Sequence, residues 1–350
     1  MSYADLPLDQ LREYRSGAVE PDGFDRFWRS TLGDARAVGA VVSAERVNTG
    51  LTLIDTYDVR FPGWGRQPIA GWLHVPAGQE GPLPCVVQYI GYGGGRGLPH
   101  EHVTWAMAGY AHFVMDTRGQ GSGGYVGVTP DSYGSGPAYP GVMTRGILDP
   151  REFYFRRLIT DAVRAVDAVR TMPQVDPQRV AVAGASQGGG LAVAAAALSD
   201  GVWAALPDVP FLCDIPRSLS MATTGPYQEV LAYLAIHRDD TATAIHTLGL
   251  VDGVHHARRA TMPALFSVGL LDTTCPPSTG YAAYHAWAGP ASIREYAYNG
   301  HEGGGAHHVR EQLAWLGGQF ERDGRPTGCG QWESFMTSQP PSTGISAPVT

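Results

Sequence analysis

The sequence predicts an α/β fold: a mostly parallel central sheet covered by helices on both faces. Three observations predict it. From about residue 85 onward, short apolar runs alternate with segments of helical periodicity, as successive βα units do. Several of these runs stop at a glycine cluster or an aspartate, the composition of loops that leave strand ends. One glycine-rich turn, at residues 184–188, joins a β-type run directly to a strong helix former.

Taken in order, the first fifty residues read as helical, with Phe24, Phe27 and Trp28 forming an apolar face after Pro21-Asp22. Residues 56–61 alternate polar and apolar, as a half-buried strand does, and stop at Pro62-Gly63; residues 69–75 read as the partner arm and stop at Pro76. Buried strands are then expected at 85–90, ending at the glycines of 91–95, and at 111–115, ending at Asp116. A helix over 158–169, a strand over 179–183 and an alanine-rich helix over 191–198 follow, with strand-like runs at 202–206, 264–268 and 293–298. The last helix carries Val309, Leu313, Leu316 and Phe320, one helical face. Residues 1–323 are expected to form one domain, interrupted by a Gly/Pro/Tyr-rich insertion at 125–150. The Ser/Thr/Pro/Gly tail at 324–350 has too little apolar surface to order itself and is expected to be flexible.

Composition narrows the chemistry. All 25 basic residues are arginine, which excludes Schiff-base catalysis, pyridoxal phosphate attachment, a Ser–Lys dyad and a P-loop, since each needs a lysine. The net charge of −8 comes without a basic stripe, which argues against nucleic acid as a partner. No stretch approaches the roughly 18 uninterrupted apolar residues of a membrane span. The first residues lack the basic start and apolar stretch of a secretory signal, so a cytoplasmic protein is expected. Cys85, Cys213, Cys275 and Cys329 have no zinc-like spacing and read as free thiols.

Gly184-Ala185-Ser186-Gln187-Gly188 fits G-x-S-x-G, and its strand–turn–helix setting is the one a nucleophile elbow requires. The glycines leave room for a turn too tight for flanking side chains, and the helix behind Ser186 offers unpaired N–H groups to an oxyanion. A serine nucleophile needs a base. His301 stands in a loop after the last expected strand, which is where a histidine could reach back to the elbow; Asp272, in the loop after 264–268, would fix its tautomer. The chain order Ser…Asp…His agrees. His100, His102, His255, His256, His307 and His308 compete on residue type alone, and Asp208 is the rival acid. The backbone N–H groups of Gln187 and Tyr92, the latter in Gly91-Tyr92-Gly93-Gly94-Gly95, are the expected oxyanion donors.

Two motifs are set aside. Gly119-Gln120-Gly121-Ser122-Gly123-Gly124 matches G-x-G-x-x-G, but no helix begins after it, as a dinucleotide site would need. His301-Glu302 starts like H-E-x-x-H, but residue 305 is glycine, and His100-Glu101-His102 sits between loop residues. No metal or cofactor is expected.

With these residues in view, the chain over roughly 20–320 resembles the acetyl xylan esterase/cephalosporin C deacetylase family, a carbohydrate esterase group (family 7) of the α/β-hydrolases. The resemblance is carried by Arg118-Gly119-Gln120, by the elbow at 184–188 and by His301-Glu302. Met143-Thr144-Arg145-Gly146-Ile147-Leu148-Asp149 and Gly269-Leu270-Leu271-Asp272 with Pro276-Pro277-Ser278-Thr279 also match. It implies a serine esterase that removes acetyl groups from sugars and from esters such as cephalosporin C. Ser186, Asp272 and His301 would be the triad and Tyr92 and Gln187 the oxyanion donors. Tyr92, Pro226 and the Thr274-Cys275 segment would lie near the acyl pocket, with Arg118-Gly119-Gln120 a structural support. It further implies a homohexamer, a dimer of trimers, with the 125–150 insertion at subunit contacts. Two other readings stand beside it: a peptidase or other acyl hydrolase of the same fold, and a catalytically silent scaffold.

Overall fold

The structure, a computed structural model, describes residues 5–40, 43–133 and 140–322. The expected tail at 324–350 and residues 134–139 of the insertion lie outside them. Nine strands form one sheet: β1 Ser43–Val47, β2 Ile54–Pro62, β3 Pro68–Pro76, β4 Leu83–Tyr89, β5 Ala111–Met115, β6 Val175–Ala185, β7 Ala204–Asp208, β8 Ala264–Gly269 and β9 Ala291–Tyr296. Their order is β1-β2-β3-β5-β4-β6-β7-β8-β9. The pairs β1–β2, β2–β3 and β3–β5 are antiparallel, and every pair from β5–β4 to β8–β9 is parallel.

The parallel part forms as its sequence dictates. β5 and β8 are buried along their whole length, as strands covered on both faces must be, so they read as unbroken apolar runs. In β6, Ala181, Val182 and Ala183 put little bulk on the sheet. The helix Gln187–Leu198, itself built of glycine, alanine and valine, packs against β6, β7 and the helices Tyr154–Val169 and Gly253–Ala257. That helix is apolar on all sides because protein surrounds it.

Four expectations shift. The first fifty residues are not helical throughout: helices Leu8–Glu13 and Phe24–Arg36 are followed by β1. β1 has no apolar alternation of its own and is a strand because it pairs with β2, Ser43 opposite Arg60 through Val47 opposite Thr56. β6 starts at Val175, earlier than the expected 179, and its register against β4 slips between Leu83 and Cys85. Pro177, which cannot donate to a ladder, lies in that stretch. The strand expected at 293–298 runs from Ala291 to Tyr296. In the last helix, Gly305–Arg322, Leu316 and Phe320 are buried, but Val309 and Leu313 are only half-buried. His308, Gln312 and Gln319 complete the buried face, which is rotated from the expected one.

The polar ends of the parallel strands converge. β4 leads into Tyr92, β6 into Ser186, β7 ends at Asp208, β8 leads into Asp272 and β9 into His301. Ligand sites of such sheets lie beyond these carboxyl ends.

Candidate active site

Ser186 sits between the end of β6 and the first residue of the helix Gln187–Leu198, at φ 57° and ψ −120°. A non-glycine residue in that region costs on the order of 1–3 kcal/mol, so the surroundings must hold it. They do: Ser186 N–H donates to Asp208 O at 3.0 Å, and its carbonyl accepts from Gly190 N at 3.0 Å and Phe211 N at 2.9 Å. The flanking glycines are a steric necessity. A Cβ on Gly184 would stand 2.5 Å from the backbone carbon of Gly188, and one on Gly188 would strike the carbonyl oxygen of Tyr89.

Ser186 Oγ lies 2.9 Å from His301 Nε2, and His301 Nδ1 lies 2.9 Å from Asp272 Oδ2. Asp272 is fully buried, while the His301 side chain is 35% exposed and so open to an entering substrate. Asp272 Oδ1 accepts from Thr274 N at 2.8 Å and Cys275 N at 2.9 Å. With His301, three N–H donors address one buried carboxylate, the arrangement a charged oxygen needs in a dry site. Glu302 accounts for the His-Glu pair: its Oε1 accepts from Asn299 Nδ2 at 2.9 Å and Gly300 N at 3.2 Å, which fastens the loop carrying His301.

The rival groups fall elsewhere. Asp208 accepts a hydrogen bond from the Ser267 hydroxyl and stands 4.0 Å from His308 Nε2; burial pushes its carboxyl up to about 6. The ring of His308 is occupied by Tyr296 OH at 2.9 Å. His255 and His256 pack edge-on against Phe24, and His102 lies against Tyr125.

The segments that carry the two expected oxyanion donors are tied to one another through Gln120. No protein acceptor among the described residues takes the backbone N–H of Tyr92 or of Gln187. Gln120 ties their segments together: its Oε1 accepts from Gly93 N at 2.5 Å, and its Nε2 donates to Gln187 Oε1 at 2.9 Å and to Tyr154 OH at 2.8 Å. Tyr154 OH donates on to Arg118 O at 2.6 Å. Arg118 is itself buried in a two-pronged pair with Asp161, at 2.5 and 2.7 Å. The rejected G-x-G-x-x-G string has a local use, since Gly121, Ser122 and Gly123 all donate to Gly93 O. Tyr92 OH donates to Glu229 Oε1 at 2.7 Å and accepts from Val142 N at 2.8 Å. Arg118 and Gln120 had a signal in the sequence, as parts of Arg118-Gly119-Gln120; Glu229, Tyr154 and Asp161 had none.

Thr274 lies against the turn that precedes Pro226. Its Oγ1 is 2.9 Å from Thr224 Oγ1, and a Cβ on Gly225 would come within 2.5 Å of its methyl. Phe211, whose N–H holds Ser186, stands edge-on to Tyr92 and beside Tyr227.

A sheet of this order, with a serine on a strained turn at the end of a central strand and helices on both faces, is the α/β-hydrolase fold. The family model described as acetyl xylan esterase (AXE1) matches residues 1–319, and the chain belongs to that family. Among solved structures, the acetyl xylan esterase from Paenibacillus sp. R4 is 38% identical with a TM-score of 0.84, over 89% of this chain and 99% of that one. Acetyl xylan esterase 1 from Thermoanaerobacterium sp. JW/SL YS485 is 31% identical with a TM-score of 0.81, over 89% and 99%. A curated relative, the acetyl esterase Axe7A of Xylanibacter ruminicola, is 28% identical over 277 residues, 77% of this chain; the chain spans about three fifths (61%) of that relative's length. No helix among the described residues is long and apolar enough to cross a membrane.

Proposed function

We propose that the chain is a serine carboxylic ester hydrolase that removes acetyl groups from acetylated sugars such as xylo-oligosaccharides, and from related esters such as cephalosporin C. The observation that carries this reading is the hydrogen-bonded line Ser186–His301–Asp272, in a chain of the acetyl xylan esterase family. Ser186 Oγ attacks the acetyl carbonyl as His301 Nε2 takes its proton. Asp272 holds the ring with its other nitrogen protonated and stabilises the cation that forms. The N–H groups of Tyr92 and Gln187 receive the developing oxyanion, and their fixed geometry lowers the barrier without reorganisation. His301 then protonates the departing sugar oxygen, and water repeats the sequence on the acyl-enzyme.

Selectivity for short acyl groups is steric in this reading. One extra methylene in an apolar pocket discriminates by only about 1–3 kcal/mol unless it clashes. The aromatic ring of Tyr92, the Pro226 turn and Thr274 are the walls we assign to the pocket. The test compares 4-nitrophenyl acetate, butyrate and octanoate, then acetylated xylo-oligosaccharides, with Ser186→Ala alongside. Fast acetate turnover, a steep fall with chain length and an inactive variant are expected; equal rates on long chains would overturn the acetyl reading.

We further propose a homohexamer of one-domain protomers, with the insertion at subunit contacts. Support comes from its described residues, since Tyr125, Val126, Val128, Tyr133 and Leu148 are large apolar side chains left exposed. Light scattering should give six times the chain mass; a monomer would overturn the assembly without touching the chemistry.

A further inference from the structure

Among the described residues, one set of three potential metal-ligating side chains has its ligand atoms within 4.8 Å of one another: Asp272, Cys275 and His301. Two of them belong to the proposed triad, and the third does not. The Cys275 side chain is nearly fully buried, with its sulfur in one cluster with the ligand atoms of Asp272 and His301. A neutral thiol at this position takes no part in acyl transfer, because His301 and Asp272 already complete the proton path. What it adds is a soft sulfur ligand beside an imidazole and a buried carboxylate.

We propose that Asp272, Cys275 and His301 form an inhibitory site for a thiophilic divalent cation of the zinc–cadmium class, and that the cysteine at 275 is what makes the site strong. The inference rests on reading His301 as the general base. The donor set is mixed sulfur, nitrogen and oxygen, which suits zinc and cadmium and offers little to magnesium, a cation that prefers oxygen ligands. Three protein ligands leave a fourth position for water. On binding, the cation displaces the Cys275 proton to solvent and forms a metal–thiolate bond. Burial pushes the free thiol up, so without a cation it stays protonated and inert.

Inhibition follows from the ring nitrogen that faces Asp272. At Nδ1 the metal displaces the hydrogen bond to Asp272 and leaves the ring proton on Nε2, where it blocks proton transfer from Ser186. The site is thus a switch written into the triad itself, open in the metal-free enzyme and closed when the free cation rises.

The experiment uses the full chain, freed of metal with a chelator. It measures acetate ester hydrolysis against added cadmium, zinc or magnesium for the wild type and Cys275→Ala, each normalised to its own metal-free rate. The wild type should be inhibited by cadmium and zinc, recover on chelation and ignore magnesium. Cys275→Ala should need at least about tenfold more metal, the low end of what losing even an outer partner of a metal ligand costs. A second readout is the ultraviolet charge-transfer band of a cadmium–thiolate bond, strong in the wild type and reduced in the variant by one cysteine's share. Equal inhibition of both proteins, or identical cadmium spectra, would overturn the proposal. If the metal-free wild type fails to turn over acetate esters, the esterase reading fails instead, and the spectral titration still decides whether the site binds metal.

Discussion

The ends of β7 and β8 are neighbours in one sheet, and each places a carboxylate near His301, fully buried for Asp272 and largely buried for Asp208, yet the two are satisfied very differently. Asp272, beyond β8, receives three N–H donors, two from the backbone just after it and one from His301. Asp208, closing β7, receives the Ser267 hydroxyl, and burial raises its pKa to about 6. A carboxylate in a dry site is useful as a charge only where donors replace its lost water. The difference lies in the following backbone: after Asp272 the chain turns back over the carboxylate, whereas after Asp208 it runs on to Phe211, whose N–H goes to Ser186.

The reference for this comparison is loss of the nucleophile itself. Ser186→Ala should lower kcat by roughly 10⁴–10⁶-fold with the fold intact by circular dichroism. Next come the carboxylates themselves: Asp272→Asn should cost about 10⁴-fold in kcat/KM and Asp208→Asn less than about tenfold. Similar losses from the two would erase the distinction. A smaller effect is expected on the donor side. Gln120→Ala frees both Gly93 and Gln187, and should lower kcat about 10–100-fold with little change in KM, less than deleting an oxyanion donor outright. A KM effect alone would make Gln120 a substrate contact instead.

The smallest effect is on stability. Asp208 has a folded pKa near 6 against an ordinary 3.8, so between those values the folded chain holds a proton that the unfolded chain releases. Its contribution is therefore full at low pH and is lost as pH rises from about 4 to about 6. Asp208→Asn does not suffer this loss. Its thermal stability relative to wild type should improve between pH 4 and 6, by on the order of 1–3 kcal/mol, and stay level above. A difference that does not change with pH would show that the carboxylate is satisfied after all.

How much of this could be read beforehand follows from how local each signal is. The parallel strands and the elbow were legible because buried apolar runs and a glycine-flanked serine are features of contiguous sequence. Ser186, Asp272 and His301 could be picked out by loop position and order, and the structure brings those three side chains into contact. β1 was not legible, because its residues are charged and its strand character comes from β2. Nor was the brace around the oxyanion segment. Gln120 meets Gly93 and Gln187, and Glu229 meets Tyr92, across 27 to 137 residues of chain, and no periodicity encodes a contact of that kind. The buried pair Arg118–Asp161 shows the same limit. The arginine stood out as part of a string, while its aspartate, one of several charged residues in a buried helix, did not.

Among the described residues, the nine-stranded sheet ends in two edge strands, β1 and β9, and their makeup bears on how copies of the chain can meet. β1 carries Glu45 and Arg46, and β9 carries Arg294 and Glu295. An open edge is a template on which another chain can add a strand, and charged side chains along it are the usual deterrent, since pairing would strip their water. Growth of the sheet from one copy into the next is therefore the mode of association these edges resist. Contacts through the loops and helices are the route these edges leave open for copies of the chain to meet.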